Sequence, residues 1–103
     1  MIDVIKEIPA DRRDVVWKAI ATTPLTSGQY VSRRGKVCPL SAGMFAVSKQ
    51  PICLMTGIYA FDEIRKHLKL SEESINKFVR AWDHGGFFGR RAFVRYAGRM
   101  AAA

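Results

Sequence analysis

Between Pro39 and Ser48 the chain reads PLSAGMFAVS, and no other stretch constrains the fold as strongly. Proline suits the first turn of an α-helix, where its missing N–H would have had no partner in any case. In the helix that follows, Leu40, Ala42, Met44, Phe45, Ala46 and Val47 point to every side. A helix that is apolar all round is stable only when other elements surround it. A helix over 39–48 is therefore predicted to be the buried centre, wrapped by the rest of the chain.

The 103 residues suffice for one hydrophobic core and not for two. On the N-terminal side, Asp11 after Pro9 is the expected cap of a helix over 12–21, in which Val15, Val16, Ala19 and Ile20 recur at helical spacing. Pro24 and Gly28 end it. Trp17 fits that stripe poorly and reads either as core or as an exposed contact. Gln29-Tyr30-Val31 and Lys36-Val37 flank Ser32-Arg33-Arg34-Gly35, a pattern that allows a short β-hairpin near 29–37 with Gly35 as its left-handed residue.

After a loop from Pro51 to Gly57, Phe61, Ile64 and Leu68 share one face of a helix starting near Ala60. A tight turn at Leu70-Ser71 follows, and Ser71 can cap the next helix, whose Ile75, Phe78, Val79 and Trp82 lie at i, i+3, i+4, i+7. Gly85-Gly86 stops that helix. In a final helix over 88–100, Phe93, Tyr96, Ala97 and Met100 take one side and Arg91, Arg95 and Arg99 the other. The expected fold class is mainly α: one small helical domain of four to five helices, with the 29–37 hairpin as its only strand element.

The net charge of +8 is unevenly placed. Residues 1–28 hold four basic and four acidic side chains, and residues 51–83 hold five of each. The excess comes entirely from Arg33, Arg34, Lys36 and Lys49 in 29–50 and from Arg90, Arg91, Arg95 and Arg99 in 84–103, two segments without an acid. An uncompensated basic surface attracts polyanions or acidic protein surfaces. Guanidinium groups one helical turn apart, as at 91, 95 and 99, can each grip a phosphate or carboxylate bidentately. Tyr30, Phe87 and Phe88 beside these segments read either as core or as platforms for base stacking.

Catalytic patterns are missing: there are no paired carboxylates, no phosphate-cradling glycine loop and no metal-ligand cluster. Cys38, Cys53, His67 and His84 lack the close spacing of a zinc site, and neither a metal nor a cofactor is expected. The two cysteines read as free buried thiols of a reducing compartment. Cys38 ahead of a helix N-terminus, with Asp83-His84 as base, is the one arrangement from which a nucleophile could be built. No apolar run is long enough for a membrane span, and Asp3, Lys6 and Glu7 interrupt any signal-like segment, so a cytoplasmic protein without a membrane role is expected.

The segment FDEIRKHLKLSEESINKFVRAW, from Phe61 to Trp82, resembles a helix-turn-helix. Ile64, Leu68, Leu70 and Ile75 match its apolar positions and Ser71 its recognition-helix cap, while Lys69 stands where that motif often has glycine. The resemblance implies exposed reader positions at Glu73, Asn76, Lys77 and Arg80, although Glu72 and Glu73 would face phosphates. Separately, GKVCPLSA (Gly35 to Ala42) with SEESINKFVRAWD (Ser71 to Asp83) resembles small bacterial and phage proteins of no assigned activity. That implies a small α-rich domain from a phage or mobile element.

These readings converge on a non-enzymatic binding protein. Its expected contact residues for nucleic acid are Arg33, Arg34, Lys36, Arg90, Arg91, Arg95 and Arg99, with Asn76, Lys77 and Arg80 as secondary candidates, provided the two acid-free segments meet on one surface. The alternative is a small inhibitor or adaptor, of the phage anti-defence type, that docks on an acidic or nucleic-acid-handling host protein.

Overall fold

The computed structural model describes residues 1–103 and contains six helices: α1 (Ile2–Glu7), α2 (Ala10–Thr22), α3 (Pro39–Ser48), α4 (Gly57–Leu68), α5 (Glu72–His84) and α6 (Gly86–Ala102). Helix α3 is the buried centre. Every residue from Pro39 to Phe45 is buried, with α2 packed on one side and α4 on another. Cys38 caps it, its sulfur accepting the Ser41 N–H at 3.4 Å, and Lys49 ends it in the left-handed conformation.

Helix α2 touches both α3 and α6. Its Val16 lies directly against Gly43 of α3, where a Cβ would fall 2.9 Å from Cγ1. On the other side, Trp17 packs against Phe93 and Tyr96 of α6, with ring centroids 6.0 and 5.4 Å apart. Phe93 in turn meets Phe78 and Trp82 edge-on, so one aromatic cluster joins α2, α5 and α6.

Several expectations need correction. Trp17 is only 1% exposed and is no surface contact. Of the expected stripe, Val16, Ala19 and Ile20 are buried, Val16 against α3, but Val15 is 41% exposed; Trp17 serves a second buried face toward α6, a double burial that one-sided periodicity does not register. Helix α2 begins before Asp11, because the Pro9 carbonyl already accepts from Arg12 and Arg13; Asp11 lies exposed in the first turn. The N-terminal residues form helix α1, which buries Val4 and Ile5. Helix α4 starts at Gly57, capped by Thr56, whose hydroxyl accepts the Tyr59 N–H at 3.2 Å. Cys53 is exposed, whereas Cys38 is buried.

The 29–37 hairpin is reduced to a single antiparallel bridge between Val31 and Val37, with Leu25 bridged in parallel to the same Val37. Gly35 takes φ +77° at its tip, as the turn requires. No helix is long and apolar enough to cross a membrane.

Candidate nucleic-acid interface

Helix α6 is aimed by the corner that precedes it. Gly86 adopts φ +68°, a conformation that a side chain would strain, and the chain turns sharply from α5 into α6 there. Arg90 pins the corner. Its Nη1 donates to the carbonyl oxygens of Trp82 and Asp83, both at 3.3 Å, and its guanidinium lies over the Trp82 ring at 6.0 Å. These carbonyls lie in the last turn of α5, where Trp82's also accepts the Gly85 N–H at 3.4 Å, and the cation adds a bond to each while complementing the negative end of the helix dipole. Arg90 is thus held by the fold, while its neighbours are not.

Along α6, four residues advance slightly more than one turn, so a stripe at i, i+4, i+8 rotates by about 40° per step. Arg91 and Arg95 consequently border one cleft, with Arg90, and Arg99 borders another beside Asp3 and Tyr96. The Arg99 guanidinium lies 5.8 Å from the Tyr96 ring centroid. None of Arg91, Arg95 and Arg99 forms a salt bridge.

The Arg91–Arg95 cleft is an open depression of about 610 Å³. Its apolar lining is formed by Leu25, Phe87 and Val94, backed by the buried Trp82, and Thr26 and Ser27 form a polar wall. That wall is fixed, because Trp82 Nε1 donates to the Thr26 carbonyl at 2.8 Å and Asp83 accepts the Gly28 N–H at 2.9 Å. Phe87, which lines the cleft, is 64% exposed, and Phe88 beside it 84%, their rings edge-to-face at 5.4 Å. Arg91 sits over the Phe87 ring at 5.9 Å.

Arg33, Arg34 and Lys36 project from the hairpin turn, all exposed. Ser32 holds the turn by accepting the Lys36 N–H on its hydroxyl at 3.0 Å. No salt bridge engages them, and neither cleft along α6 includes them. The stretch brought to α6 is 25–27, which carries no charge.

The secondary candidates lie elsewhere. Asn76, Lys77 and Arg80 share a concavity of about 630 Å³ on α5 with Glu72 and Glu73. Lys77 is engaged by Asp3 of α1 at 2.6 Å, a bond that holds the Asp3 carboxyl well below the usual range and raises the Lys77 ammonium. Glu7, also of α1, accepts from the Ser74 hydroxyl at 2.6 Å. The turn between α4 and α5 has the anticipated cap at Ser71 and a left-handed Lys69, the conformation for which glycine is favoured. However, α4 packs chiefly on α3 and α5 on α6 and α1, and carboxylates edge the exposed face of α5.

A second cavity, of about 400 Å³, is lined by Cys38, Tyr30, Met55 and Asp83 among others. Burial is the main cause of the raised Cys38 thiol, and the Asp83 charge adds to it, so the arrangement disfavours a thiolate. No hydrogen bond links Cys38 to Asp83 or His84. No three His, Cys, Asp or Glu side chains are grouped to hold a metal ion.

Two features were missed by the sequence reading. The 25–27 wall has no sequence signal, since nothing local shows that Trp82 will bind it. Ile52, Leu54, Ile58 and Tyr59 form an exposed apolar set, within a run from Gln50 to Phe61 that has no charged residue. That charge-free run was the available signal.

Comparison of the chain with protein-family models, curated proteins and solved structures yields no match.

Proposed function

We propose that this protein is a non-enzymatic nucleic-acid-binding domain whose principal contact is the exposed face of α6, through Arg91, Arg95 and Arg99. The observation that carries the reading is the set of unpaired guanidinium groups on an acid-free helix, beside two phenylalanines left in water. Exposed basic faces normally mix both signs, whereas this one holds its charge uncompensated. A polyanion bound there exchanges its condensed counterions for these guanidinium groups, and their release drives binding. Arg33, Arg34 and Lys36 supply a second, separate contact for a longer polymer, and Arg90 supports the site from beneath.

Binding of the purified chain to short DNA and RNA duplexes and single strands, at two salt concentrations, tests this function. Affinity should fall steeply with salt. No binding at low salt, or binding indifferent to salt, would remove the proposal.

A second reading is favoured by one observation, the charge-free apolar set at Ile52, Leu54, Ile58 and Tyr59. Ile58 is 81% exposed, and such sets commonly mark protein contacts. In this reading the chain is an inhibitor or adaptor docking on a nucleic-acid-handling protein. A partner retained from nuclease-treated lysate by the wild type, and lost with I58D, would favour it over direct binding.

A further inference from the structure

We infer that the cleft between residues 25–27 and the first turns of α6 is a base-and-phosphate slot, and that the protein prefers single-stranded nucleic acid to duplex. This rests on the nucleic-acid reading above and names the form of the polymer.

The first reason is the pair of phenylalanines. Phe87 and Phe88 are mostly solvent-exposed at the start of a helix, although the aromatic cluster of Trp17, Phe78, Trp82 and Phe93 lies inside the same domain. Phe87, with Arg91 over one side of its ring, and its neighbour Phe88 thus leave aromatic surface in water beside an arginine that no acid pairs. Bases in a duplex are stacked on one another and offer only groove edges and a backbone, which give a phenyl ring little to hold. An unpaired base offers its whole face, and stacking on an aromatic side chain tolerates any sequence.

The second reason is the cleft itself. Its apolar lining of Leu25, Phe87 and Val94, backed by the buried Trp82, suits the face of a base, and Thr26 and Ser27 provide polar groups for its edge. About 610 Å³ falls in the range of small-ligand sites and is open enough to admit one nucleotide of a strand. Arg91 and Arg95 stand on the same rim, one turn and about 6 Å apart along the axis, and can take consecutive phosphates. Because Arg90 and the Trp82–Thr26 hydrogen bond fix Trp82 and the wall beside it, the slot exists before the ligand arrives.

The test is fluorescence anisotropy with a labelled mixed-sequence oligonucleotide, as single-stranded DNA, single-stranded RNA and duplex DNA, at one salt concentration. The single strand should bind at least roughly tenfold tighter than the duplex, the worth of about one stacked base. F87A/F88A should lose about that factor on single strands and leave duplex affinity nearly unchanged. Both residues are exposed, so an unchanged circular dichroism spectrum should accompany the loss. The ratio of the DNA and RNA affinities identifies which polymer supplies the bases. Equal binding of strand and duplex, or single-strand affinity unaffected by F87A/F88A, overturns the slot while leaving the α6 contact standing. No binding to any of the three polymers overturns both.

Discussion

The contact between Val16 and Gly43 sets the separation of the two central helices, and G43A measures how tightly it does so. A Cβ built on Gly43 falls 2.9 Å from Val16 Cγ1 and 3.0 Å from Cγ2. Carbon atoms pack comfortably at about 3.5–4.0 Å, so the new methyl arrives roughly 0.5–1 Å too close. Val16 cannot turn aside easily, since a β-branched side chain in a helix has one strongly preferred rotamer and this one is fully buried. Overpacking of this kind costs about 1–3 kcal/mol. Alanine also gains about 1 kcal/mol over glycine in any helix interior, which masks part of the loss.

G98A provides the reference. Gly98 lies within α6, and its Cβ would meet nothing within 4 Å. It should therefore show the propensity gain alone. The two variants should differ by about 1–3 kcal/mol, which for a domain near this size separates their melting temperatures by about 5–20 °C. Thermal denaturation followed by circular dichroism gives both values, and adding V16A to G43A should recover part of the loss. Equal melting temperatures for G43A and G98A would refute the close approach of α2 and α3.

Other outcomes follow from single contacts. W82F removes the 2.8 Å bond to the Thr26 carbonyl and should cost about 1–3 kcal/mol by urea denaturation, whereas W17F should cost less because the buried Trp17 Nε1 has no partner to lose; the reverse order would contradict the assignment. A thiol reagent should modify exposed Cys53 quickly in the folded protein and buried Cys38 only after unfolding, and two fast thiols would refute the packing of α3. Burial raises the Cys38 thiol above its ordinary 9.0, so above that pH the unfolded chain binds fewer protons than the folded one; stability should fall as the pH rises past 9, less steeply in C38S. The lowered Asp3 carboxyl acts with the opposite sign: its pairing with Lys77 stabilises above the ordinary carboxylate value and is lost on acidification through the lowered one. Wild type should exceed D3N slightly near neutrality, and a gap persisting at the lowest pH would refute an ionic origin.

The sequence located most helices because their signals are local. Pro39 with apolar residues on all sides marked α3, and the Ile75–Phe78–Trp82 stripe marked α5. What escaped it depended on distant partners. Helix α1 is a six-residue element held by α2 and α5, too short to show periodicity. Trp17 faces α6, nearly eighty positions away in the chain, so its burial has no trace within α2. The same holds for the site. The acid-free α6 stripe could be read directly, but its splitting between two clefts comes from the helical pitch together with the position of α1. The basic turn at 33–36 carries three of the excess positive charges, yet the stretch delivered to α6 is the neutral 25–27 that precedes it, because Trp82 and Asp83 hold Thr26 and Gly28 there. Arg90, indistinguishable from Arg91 by composition, is consumed by two carbonyls at a corner that only the fold creates.

Arg91 and Arg95 are proposed to touch phosphates, and the slope of log affinity against log salt for wild type and R91Q/R95Q measures that contact directly. Each lost phosphate contact should flatten the slope by about 0.7 on a single strand, so the double variant should lie about 1.4 shallower and bind more weakly at low salt. An R91Q/R95Q slope identical to that of the wild type would place the contact elsewhere on the molecule.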